Sequence, residues 1–105
     1  MTKRYTFTTT AELTIEKLIQ DDQLVINQLI LPPGESVAPH KTANRAYMIV
    51  TAGTLSLQTD ELPEEHYLEG TIVAIQAGTM LAISNRGDSP MRLFVVKPTE
   101  IKQDC

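Results

Sequence analysis

Between residues 13 and 98 the chain alternates short apolar runs with breakers, and no apolar run outlasts the length of a β-strand. The breakers are Asp21-Asp22-Gln23, Pro32-Pro33-Gly34, Ala52-Gly53, Glu69-Gly70, Ala77-Gly78, Asn85-Arg86-Gly87-Asp88 and Pro98. Pro and Gly end ladders and open turns, while Asn and Asp favour tight turns. Such punctuation predicts an all-β sandwich or barrel. With 105 residues the chain has room for one hydrophobic core. No linker, repeat or compositional break divides it, so residues 1–105 are read as a single domain.

The runs predict strands over residues 13–19, 24–31, 45–51, 54–59, 66–68, 71–76, 80–84 and 91–97. A further short strand is predicted over 4–8, and a single helical turn over 9–12 from a capping box beginning at Thr9. Residues 24–31 are apolar on both faces, which puts one face in a core and the other against a second layer or a subunit.

Several function classes fall away. The net charge is −4 and Lys3-Arg4 is the only adjacent basic pair, so nucleic acid is not an expected partner. No stretch reaches the ~20 apolar residues of a membrane span, and MTKRYTFTTT has no secretory apolar run. A cytoplasmic protein without a membrane partner is expected. The single cysteine, Cys105, provides no internal disulfide and reads as a tail thiol.

Two stretches carry a more specific pattern. GESVAPHKTANRAYMIVTAG runs from Gly34 to Gly53, and GTIVAIQAGTMLAISN from Gly70 to Asn85. The first resembles the first motif of the cupin family: Gly, five residues, His-x-His, three or four residues, Glu, six residues, Gly. The second resembles the family's second motif: Gly, five residues, Pro-x-Gly, two residues, His, three residues, Asn. Gly34, His40 and Gly53 match, as do Gly70, Gly78 and Asn85, with Gln76 where Pro is usual. The resemblance covers residues 24–97. It implies a double-stranded β-helix (jelly-roll) barrel of the cupin type, often a homodimer.

In metal-binding members of that family two His and one Glu of the first motif and one His of the second hold a divalent ion. The corresponding positions here are His40, Thr42, Ala46 and Leu81, so only one ligand type remains. A one-residue bulge would put Tyr47 in place of Ala46. One imidazole does not make a specific zinc or iron site, and no metal or other cofactor is expected. His66 is placed away from the pocket. Asp60, Glu61, Glu64 and Glu65 read as a solvated loop, and Lys41 and Arg45 as rim charges that could attract an anion.

Strand alternation groups His40 with Thr42, Ala46 with Met48, and Leu81 with Ile83 and Asn85. These seven are the candidate ligand-binding residues. They describe either a pocket for a small, largely apolar molecule or a filled core. The leading expectation is a non-catalytic, metal-free binding or accessory protein. The competing expectation is a metal-independent isomerase, epimerase or lyase with His40 as acid/base, because imidazole exchanges protons near neutrality. A metal-dependent cupin with non-standard ligands and a pure interaction module complete the alternatives.

Overall fold

The breakers divide the chain where expected. A computed structural model of the protein describes residues 1–99 and contains nine strands, with no helix among those residues. They are β1 (Thr14–Gln20), β2 (Leu24–Leu31), β3 (Ser36–Lys41), β4 (Ala46–Ala52), β5 (Thr54–Thr59), β6 (Glu65–Leu68), β7 (Ile72–Ile75), β8 (Met80–Ser84) and β9 (Met91–Pro98). All pairings are antiparallel. One sheet has the order β1-β2-β9-β4-β7, the other β3-β8-β5-β6. Together they form the double-stranded β-helix predicted from the sequence. Cys105 lies outside the described residues.

The core lies between the sheets. From the five-stranded sheet it takes Leu29, Leu31, Met48, Val50, Met91 and Leu93, and from the four-stranded sheet Leu55, Leu57, Leu81 and Ile83. Every second residue of β4 is buried, namely Ala46, Met48 and Val50, which is the period-two signature of a half-buried strand.

Three local expectations are corrected. Residues 4–8 form no strand, and residues 9–12 form a bend rather than a helical turn. The segment instead lies over the outer face of the five-stranded sheet. There the Phe7 ring packs edge-on against Phe94, with centroids 5.0 Å apart. The third correction is β3, unread in the sequence. It is an edge strand with a bulge between Val37 and His40, and Pro39 sits inside it, as an edge position permits.

The N-terminal segment also explains the apolarity of both faces of β2. Glu16 on β1 accepts hydrogen bonds from the Thr8 backbone N–H (2.9 Å), the Thr8 hydroxyl (2.8 Å) and Gln28 Nε2 (2.7 Å). Gln28 Nε2 also donates to the Thr8 carbonyl. Gln28 and Ile30, on the outward side of β2, are buried as a result. The Thr8 backbone bond, followed by its hydroxyl, holds the Glu16 carboxyl below the usual carboxylate range.

Candidate functional site

The antiparallel ladders bring both motifs to one end of the barrel. His40 pairs with Leu81 across β3 and β8, and Ala46 pairs with Ile75 across β4 and β7. Six of the seven candidate residues, His40, Thr42, Ala46, Met48, Leu81 and Ile83, line one cavity of about 110 Å³. The deeper part of the barrel, around Leu55, Leu57, Leu31 and Leu93, is filled by side chains. The barrel is thus packed below and hollow above.

The cavity is mostly apolar. Leu29, Val37, Val95 and Ile15 complete its hydrocarbon wall. Ile15 is 69% exposed and His40 is exposed as well, so the mouth lies at their level. An apolar cavity of about 150 Å³ is enough for benzene, and this one is somewhat smaller, with an open side.

The polar groups are few and unequal. His40 Nδ1 lies 3.3 Å from the Ala38 carbonyl oxygen. If that nitrogen carries the proton, Nε2 is left as an acceptor. Thr42 is buried, and its hydroxyl donates to the Asn44 carbonyl at 2.6 Å, so its proton is already committed. Three polar residues absent from the sequence reading also line the cavity, Asn27 and Gln28 on β2 and Lys97 on β9. Asn27 falls on the inward parity of β2 with Leu29 and Leu31, and Lys97 on that of β9 with Leu93, whereas the Gln28 amide is held on the outward side by Thr8 and Glu16. That parity was the available signal.

Asn85 is elsewhere. Its Nδ2 donates to the carbonyls of Leu31 and Ser89, both at 2.8 Å, and its Oδ1 accepts from the Gly87 N–H at 2.9 Å. It clamps the turn before β9 and does not line the cavity. Tyr47 faces outward beside Arg45, whose Nη1 is 3.4 Å from the phenol oxygen. Ala46, 1% exposed, lines the cavity, and Tyr47 does not. Lys41 is exposed on β3 and is not part of the lining.

The donor set does not fit a divalent ion of the family type. His40 offers one imidazole, the Thr42 proton is engaged, and the Ala46 and Leu81 side chains have no donor atom. Among the described residues no three His, Cys, Asp or Glu side chains come together as metal ligands. His66 lies on the outer face of β6, its Nδ1 2.9 Å from the Ser56 hydroxyl. Of the acidic group, Asp60 accepts from the Met80 N–H, Glu64 pairs with Arg86 at 2.8 Å, and Glu65 accepts from the Tyr67 hydroxyl at 2.6 Å.

A family model described as a cupin domain matches residues 27–97. Uncharacterized protein MJ0764 of Methanocaldococcus jannaschii is 28% identical over 89 residues, which are 85% of this chain and 77% of that protein. The crystal structure of an RmlC-like cupin family protein with a double-stranded beta-helix fold from the same organism has a TM-score of 0.91 at 27% identity, covering 94% of this chain and 92% of that one. The cupin domain of Schizosaccharomyces pombe Cnp3 shares the fold alone, with a TM-score of 0.76 at 14% identity over 84% of this chain and 65% of that one. No helix among the described residues is long and apolar enough to cross a membrane.

Proposed function

The chain belongs to the cupin domain family, and on that premise we propose that it is a metal-free, non-catalytic binding protein whose barrel takes a compact, largely apolar molecule. The observation that carries this reading is the cavity itself. It is hydrocarbon-walled and open at one side, and His40, Thr42, Ala46 and Leu81 all line it. At two of those four positions, Ala46 and Leu81, the side chain is pure hydrocarbon. The site also weakens a catalytic reading, because His40 has a backbone carbonyl as its hydrogen-bond neighbour and no orienting side chain.

Titration with 3-methyl-1-butanol, followed at the Met48 and Ile83 methyl signals by NMR, tests the reading. Saturable shifts at both methyls are expected, and Ala46→Leu, which fills the cavity, abolishes them. Methyl signals that stay unmoved up to the solubility limit would overturn it.

We propose further that the protein is a homodimer. The support is the outer face of the five-stranded sheet. Tyr5, Phe7, Ile19, Ile26, Ile49 and Phe94 line an apolar groove there, and the neighbouring Ile72 is 64% exposed. Self-association would remove that surface from water.

A further inference from the structure

The protein carries more acid than base, 13 Asp and Glu against 9 Lys and Arg, yet no carboxylate lines the barrel cavity. Its one permanently charged lining group is Lys97. No hydrogen bond or ion pair engages Lys97 among the described residues. An unpaired ammonium at the edge of an apolar, partly desolvated space attracts an anion more strongly than one in open water.

A second, independent observation lies beside it. Asn27 Oδ1 is buried and has no hydrogen-bond partner. Leaving such an acceptor unpaired is unfavourable, so it is a place where a donor would be favoured. Asn27 pairs with Val95, and Lys97 is two residues further along the same strand. The two residues are therefore diagonal neighbours on one face, within reach of a long side chain. The four-carbon stem of Lys97 is long enough to bring its ammonium toward the amide.

We propose that the ligand of this cavity is a small organic acid with a hydroxyl next to its carboxylate and a branched apolar body. The carboxylate sits on Lys97 at the mouth, the hydroxyl donates to Asn27 Oδ1, and the body packs against Met48, Leu81 and Ile83. This deepens the binding reading above and rests on it. His40, across the mouth on β3, provides a second polar contact for the acid.

The test is a matched ligand series on the whole protein, read at the Met48 and Ile83 methyls. The probes are 2-hydroxy-3-methylbutanoate, 3-methylbutanoate, which lacks the hydroxyl, and 3-methyl-1-butanol, which also lacks the charge. The hydroxy acid is expected to bind about tenfold or more tighter than the alcohol, as one charge-assisted contact implies, with 3-methylbutanoate between them. Lys97→Met should erase the preference for acids, and Asn27→Leu should erase the gain from the hydroxyl. If the alcohol binds wild-type protein as tightly as the acids, or the preference survives Lys97→Met, the inference is overturned and the apolar-ligand reading stands. If no probe moves either methyl, both fall.

Discussion

His40 and Leu81 face each other as direct partners across the antiparallel ladder of β3 and β8. The His40 imidazole therefore stands beside the Leu81 isobutyl group. Both side chains line the same cavity. The pairing fixes the character of the site: a hydrocarbon wall with one imidazole at its rim.

The scaffold positions of the motifs make separable predictions. Gly53 has φ of +71°, and a Cβ there would sit 2.5 Å from the Pro90 carbonyl oxygen. Gly70 has φ of +88° with open space around it. Gly70→Ala should cost about 1–2 kcal/mol, from the left-handed conformation alone. Gly53→Ala must also displace backbone and should cost at least about 1 kcal/mol more. Urea denaturation of both variants checks this, and equal losses would contradict it.

Asn85 should matter for stability and not for binding. Its amide makes three buried or half-buried hydrogen bonds, to Leu31, Ser89 and Gly87. Asn85→Ala leaves those groups without their partner and should cost about 2–4 kcal/mol. Affinity for 3-methyl-1-butanol should be unchanged wherever the variant is folded. A loss below about 1 kcal/mol would show that the clamp is dispensable.

How much was legible follows physical lines. The bounds of β2, β5 and β8 could be read because each is framed by breakers and carries apolar residues to the core. β3 could not, because only Val37 on it is partly buried and it contains Pro39, so no alternation marks it. Residues 4–8 show alternation, Tyr5 and Phe7 against Arg4, Thr6 and Thr8, but the pattern reflects packing on a sheet face and not pairing in a ladder. Within the site, motif spacing located the residues from β3, the loop after it, β4 and β8. Asn27 and Lys97 lay outside both motifs and came into view only when β2 and β9 were seen side by side.

The N-terminal segment should detach in acid. Glu16 holds Thr8 and Gln28, and its folded carboxyl titrates below its unfolded value. The stability it provides is therefore present above the unfolded pKa, ~4.3 for Glu, and is lost as pH falls through the folded one. The contact between Phe7 and Phe94 should loosen over that window. Asp21 and Glu64 are also held low, by the Gln23 and Leu24 backbone N–H groups and by Arg86 respectively, so overall stability should fall on acidification. Glu16→Gln should flatten part of that slope. Ring-to-ring nuclear Overhauser effects between Phe7 and Phe94, followed from pH 7 downward, provide the readout. Persistence of the contact through full protonation would contradict the assignment.

Light scattering at micromolar concentration should report a homodimer, and Ile72→Glu should shift it toward monomer without lowering monomer stability, because Ile72 is exposed on the edge strand β7. A wild-type monomer under those conditions would refute the dimer.

Native mass spectrometry of protein purified without added metal or chelator tests the central claim in a single spectrum. The account predicts a mass that is a whole multiple of the chain's, with each chain bare or carrying an organic adduct on the order of 100 Da, the size an apolar cavity of about this volume admits. A stoichiometric divalent metal adduct that disappears in His40→Ala would contradict it.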